Sequence, residues 1–141
     1  MRRLVAHLRA QDGASRLELV FVFPEAAPGD IPGEEVAGFE SHQLIRVPDM
    51  GSTSRARAAG VRAARGPVVL MTEDHSLPEP GWLQALVDAC EQGCAVAGPA
   101  VANGNPSLMS WANLAIEYNE WLHPAPAGRA SHLPGHNSAY N

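Results

Sequence analysis

Four short apolar runs, rich in β-branched residues, punctuate the chain: LELVFVF (17–23), HQLIRV (42–47), PVVLM (67–71) and CAVAG (94–98). They recur roughly every 25 residues, which leaves room for one helix between successive strands. That spacing predicts repeated βα units and a mainly parallel sheet, since parallel neighbours need a long crossover. The first and third runs are almost continuously apolar, as strands covered on both faces should be. The expected class is α/β, a mainly parallel sheet flanked by helices.

Helical patterns fill most of the gaps. Leu4, Val5 and Leu8 form a short apolar face at the start. Residues 52–66 are Ala-rich, open on Ser/Thr capping candidates and close on Gly66. Residues 80–93 begin with Pro80 and end with Gly93, with Leu83, Leu86, Val87 and Cys90 on one face. Residues 106–122 repeat Leu108, Trp111, Ala112, Ala115, Tyr118 and Leu122 at helical spacing, which predicts a core face. Residues 24–38 read as a Pro/Gly-rich acidic loop, and the tail from His123 onward as irregular. The chain opens on a helix with no strand before it and closes on NSAYN. A single domain over 1–141, incomplete at both ends, is therefore expected.

Composition narrows the partners. The net charge is -5, and all ten basic residues are Arg, so a general nucleic-acid binder is not expected. No window approaches the ~18 apolar residues of a membrane span. MRRLVAHLRAQDG lacks the apolar core and cleavage site of a signal peptide. A cytoplasmic location is expected, in solution or at the inner face of the membrane. Cys90 and Cys94 read as buried or half-buried thiols.

The chemistry gathers at MTEDHSL (71–77), where the third run ends. Ligands of open α/β sheets bind beyond the carboxyl ends of the strands. If the chain stays extended, alternation turns Glu73 and His75 one way and Asp74 the other. A carboxylate and an imidazole two residues apart can share one divalent ion, and mixed O/N ligation suits a first-row metal. A polar loop that caps the next helix accounts for the same residues. On the helix at 52–66, Arg55, Arg62 and Arg65 form one solvated stripe at ~100° per residue. Arg57 lies roughly 200° from Arg55, on the face of Gly60, Val61 and Ala64. Such an Arg needs an anion or an exit to solvent.

In the tail, His132, His136 and Asn137 surround Gly135. With Glu73 and His75 they could in principle make a zinc site, but their H-x-x-x-H spacing is not on a convincing helix, and ordinary turn chemistry is the favoured reading. Glu117 is a carboxylate on the solvent side of its helix. Trp82, Trp111 and Trp121 read as core or half-core. The sequence carries no G-x-S-x-G elbow, P-loop or G-x-G-x-x-G.

The stretch SRARAAGVRAARGPVVLMTEDHSLPEPGWLQAL resembles the central block of family 2 glycosyltransferases. That block has a helix of the form A-R-N-x-G, a hydrophobic strand, D-x-D, then P-x-P-G-W-L. LRAQDGASRLELVFV (8–22) is similar to the family's first helix and second strand, and LPGHNSAY (133–140) to its loop of Gly, Asn and an aromatic. The resemblance implies a GT-A fold that binds a nucleotide-diphospho-sugar and transfers the sugar to an acceptor hydroxyl, carbohydrate, lipid-linked or other. It implies a divalent metal, Mn²⁺ or Mg²⁺, on Glu73 and His75. Arg57, Asp74 and Asn137 then face the donor. The motif departs from the family where E-D-H replaces D-x-D and Ala58 replaces the Asn of A-R-N. No catalytic base is assigned. A nucleotide-sugar-binding module without catalysis, and a small metal-dependent hydrolase, are the alternatives.

Overall fold

The computed structural model describes residues 1–141. Helix α1 spans Arg2–Arg9, and β1, Glu18–Pro24, pairs in parallel with β2, Ser41–Val47. Helix α2 spans Thr53–Ala63 and β3 Val69–Met71. Helix α3 covers Trp82–Glu91, β4 Val96–Ala97, α4 Leu108–Tyr118 and β5 Ser138–Tyr140. Helix α2 packs on β1 and β2. No helix is long and apolar enough to cross a membrane.

The chain is α/β, but its sheet is not mainly parallel. β1 and β2 form one parallel pair, and β3-β5-β4 form a second, antiparallel group. The cause is β5, three residues from the tail that was expected to be irregular. It runs between β3 and β4 and pairs with both in the opposite sense.

The apolar stripes explain where the helices sit. Leu4, Val5 and Leu8 are buried, and Leu4 and Leu8 close over Leu19 of β1 together with Val36. On α3, Leu86 and Cys90 pack with Ala97 of β4 and Ala139 of β5. Trp82 touches both clusters and joins them. Only 18 of 141 residues are buried, so each cluster is thin and single positions in it carry much of the stability.

Caps and docking contacts set the helix ends. The Ser52 hydroxyl accepts the Arg55 N–H at 3.3 Å and starts α2. Gly81 enters α3 at φ 85°, a left-handed conformation that a residue without Cβ adopts freely. The buried Gln11 side chain accepts the Leu83 N–H at 3.1 Å and donates to the Glu79 carbonyl at 2.9 Å. Just beyond α1, it thereby fastens that end of the chain to the start of α3.

Several sequence expectations change. Helix α2 stops at Ala63 because Ala64 turns extended, ψ 139°. Its Val61 is 41% exposed, and Ala56 is its buried residue. Arg65 is solvated as expected, 67% exposed, but lies beyond the helix and also meets the Glu18 carboxylate at 2.6 Å. The expected core face of α4 is open, with Leu108 87% and Trp111 49% exposed, because no other element covers it. Of that helix only Tyr118 is buried. Cys90 is buried as expected, whereas Cys94 is exposed.

Candidate functional site

The end of β3 organises the site. The strand stops at Met71, and the Ser76 N–H closes a turn on the Glu73 carbonyl at 2.9 Å. Residues 73–75 are therefore not extended, and the predicted alternation fails. Instead His75 lies between both carboxylates. Its Nε2 is 3.2 Å from Glu73 Oε2, and its Nδ1 is 3.3 Å from Asp74 Oδ1. Asp74 is 73% exposed, and its Oδ2 lies 3.7 Å from the amino terminus.

Helix α2 presents Arg57 to the same turn. Arg57 Nη2 is 3.5 Å from Glu73 Oε1, with both side chains about one-third exposed. The two Glu73 oxygens thus face two different nitrogen groups. Beyond the helix start, Arg57 also reaches the tail: a Cβ built on Gly135 would lie 3.4 Å from Arg57 Nη1.

Asn137 approaches from β5. It is buried and holds φ 60°, a conformation that Asn tolerates better than most residues. Its Oδ1 accepts the Thr72 hydroxyl at 3.2 Å, and its Nδ2 donates to the Tyr118 hydroxyl at 3.3 Å. The Tyr118 hydroxyl in turn meets His136 Nε2, whose ring stands edge-on to Tyr118 at 5.3 Å. Glu117 Oε1 lies 3.6 Å from that same nitrogen. Burial, with the Glu73 and Glu117 carboxylates nearby, pushes the Tyr118 hydroxyl up to about 12. It therefore stays protonated near neutral pH, able both to donate and to accept.

Arg57, Glu73 and His75 form one chain of contacts. Asn137 stands beside it through Thr72, and Asp74 turns outward. An open cleft of about 540 Å³ borders the turn, lined by Met1, Arg2, Arg3, Asp74, His75 and Leu77. Sequence reasoning left out Thr72, set Glu117 aside as a solvent-facing carboxylate, and took Tyr118 for a core residue from its helical spacing. Its hydroxyl gave no local signal. His136 was noticed, but as a turn residue or zinc ligand.

The predicted metal ligands fit a cation poorly in this arrangement. No group of three or more His, Cys, Asp or Glu side chains comes together at metal-binding distance. Glu73 and His75 meet each other, and Arg57 takes the remaining Glu73 oxygen. The joint zinc cluster of the hydrolase alternative is not assembled either. His132 pairs with Glu120 at 3.2 Å, and His136 with Tyr118 and Glu117.

No curated protein and no solved structure matches the chain significantly. The model of glycosyl transferase family 2 matches residues 34–141, which takes in Arg57, the turn after β3 and the Asn137 loop. With most of its length inside that match, the chain belongs to glycosyl transferase family 2.

Proposed function

We propose that this chain has the nucleotide-diphospho-sugar-binding fold of the GT-A type and that it binds such a donor, whose sugar passes to an acceptor hydroxyl. The observation that carries the reading is the convergence of Arg57, Glu73 and Asn137. They come from α2, the turn after β3 and the residue before β5; Arg57 touches Glu73 and Asn137 bonds the adjacent Thr72, beyond the carboxyl end of a strand, where α/β sheets take ligands. Family membership supports a sugar transferase.

In this reading Arg57 attracts the diphosphate of the donor, and Glu73 holds the guanidinium in place until the anion arrives. Arg3, on the wall of the cleft beside Asp74 and His75, adds positive charge nearby. Asn137, fixed by Thr72 and Tyr118, borders the sugar end of the pocket. A divalent ion belongs to the proposal only on Glu73 and His75, where it would have to displace the contacts those side chains make with each other and with Arg57.

Calorimetric titration with UDP, GDP and their sugar conjugates tests the reading, in MnCl₂ and in EDTA. One nucleotide series should bind. Arg57→Ala should weaken it roughly 10-fold or more, the size expected for a charge-assisted contact. If neither series binds in either buffer, the reading fails. If Glu73→Ala and His75→Ala abolish only a Mn²⁺-dependent part of the binding, these two residues are the metal ligands.

A further inference from the structure

We propose that His136, held by Tyr118 and backed by Glu117, accepts the proton of the acceptor hydroxyl during sugar transfer. The inference rests on the donor-binding reading above and adds the base that reading lacks. Three observations converge on this imidazole. Its Nε2 is occupied, facing the Tyr118 hydroxyl with the Glu117 carboxylate 3.6 Å away. Its Nδ1 makes no hydrogen bond within the chain and is not among the enclosed polar atoms. Its neighbours in the loop both touch the site: Gly135 lies against Arg57, and Asn137 bonds Thr72 beside Glu73.

The arrangement has the logic of a base with an orienting partner. In the tautomer with its hydrogen on Nε2, facing the Tyr118 and Glu117 oxygens, the Nδ1 lone pair is free. Nδ1 takes the proton from the acceptor hydroxyl. The acceptor oxygen bonds to the anomeric carbon as the bond from that carbon to the diphosphate oxygen breaks. The bonding pair leaves with the nucleoside diphosphate, so charge and atoms balance. Glu117 offsets the charge of the imidazolium. It is 59% exposed, so the proton has a short path to water afterwards. Tyr118 and Glu117 are positioning residues. Arg57 on α2 and Glu73 after β3 are the other charged groups that face this part of the site through Tyr118.

The test separates binding from turnover. Nucleotide affinity is measured by calorimetry with UDP and GDP, and turnover as release of nucleoside diphosphate from the sugar conjugates, with water or glycerol as acceptor. His136→Gln should leave the nucleotide Kd within about 2-fold and lower turnover roughly 100-fold or more, the usual contribution of a general base. His136→Ala should behave likewise and regain turnover as free imidazole is added. Glu117→Gln should lower kcat several-fold without raising KM. Turnover unchanged in His136→Gln, or a loss that imidazole does not restore, overturns the assignment. Nucleotide binding by the unaltered protein with no turnover of any donor also overturns it and leaves the binding reading standing. Absence of nucleotide binding removes both.

Discussion

Asn137 offers a measurement in which backbone and side-chain contributions come apart. It is buried at φ 60° and makes two side-chain hydrogen bonds, from the Thr72 hydroxyl and to the Tyr118 hydroxyl. Each bond contributes about 1 kcal/mol net. Replacement by Gly removes both bonds but suits the left-handed backbone, so it should cost about 2 kcal/mol. Replacement by Ala removes the same bonds and keeps a Cβ, without the short polar side chain that lets Asn tolerate it, in a conformation that costs an L-residue about 1–2 kcal/mol. The extra chain freedom of Gly in the unfolded state offsets part of that difference. Asn137→Ala should therefore cost about 3 kcal/mol and remain the less stable of the two by roughly 0.5–1 kcal/mol. At this chain length each kcal/mol moves Tm by roughly 3–4 °C. Urea unfolding followed by tryptophan fluorescence reads the difference as a shift of midpoint at constant slope. An Ala variant as stable as the Gly variant would falsify the backbone argument. If both match the unaltered protein, the two hydrogen bonds contribute nothing.

Two further outcomes follow from burial and charge. The Arg65 backbone N–H at 2.8 Å, with the Gln43 amide and the Arg65 guanidinium, holds the Glu18 carboxyl below its ordinary value. A depressed folded-state pKa gives stability that is present above the unfolded value of about 4.3 and is lost as pH falls through the folded one. Glu18→Gln should thus lower the urea midpoint at pH 7, and the gap to the unaltered protein should narrow as pH falls below the unfolded value of about 4.3. The loss is at most about 1 kcal/mol, because Arg65 is 67% exposed and solvent screens the pair. The thiols should also differ. Burial pushes the Cys90 thiol up, whereas Cys94 is exposed. A native-state thiol titration with an aromatic disulfide reagent should count one fast group, and a second only in denaturant. Two fast groups would place Cys90 at the surface.

Local pattern carried the sequence reading where burial follows one element's own period. The stripe Leu4, Val5, Leu8 and the stripe Leu83, Leu86, Cys90 both lie where their spacing puts them. The same reasoning misplaced α4, since periodicity shows that a helix has an apolar face but not that anything covers it. It could not see β5 either. Ser138–Tyr140 is too short to stand out, and it becomes a strand only because β3 and β4 offer an edge on each side. At the site, residue types pointed to Glu73, His75 and Arg57, but their contacts follow from where β3 ends. Alternation presumes an extended chain, and the turn closed by Ser76 ends it at Met71. Tyr118 was hidden for a different reason: one end of its side chain belongs to the core and the other to a polar network.

The register of β5 ties the core to the chemistry. Met71 pairs with Ser138, and the next residues out, Thr72 and Asn137, meet through their side chains. The pairing is fixed from inside. Ala139 is fully enclosed against Leu86, Cys90 and Ala97, and the buried Ser138 hydroxyl donates to the Pro134 carbonyl at 2.7 Å. A slip of one residue would bring Ser138 or the bulky Tyr140 into the place of Ala139, exchanging the two faces of the strand. It would also move Asn137 away from Thr72. The small residue that fills the second cluster is therefore also what aligns the tail with the end of β3. The site thus depends on a packing constraint in the sheet as well as on the contacts among its own polar groups.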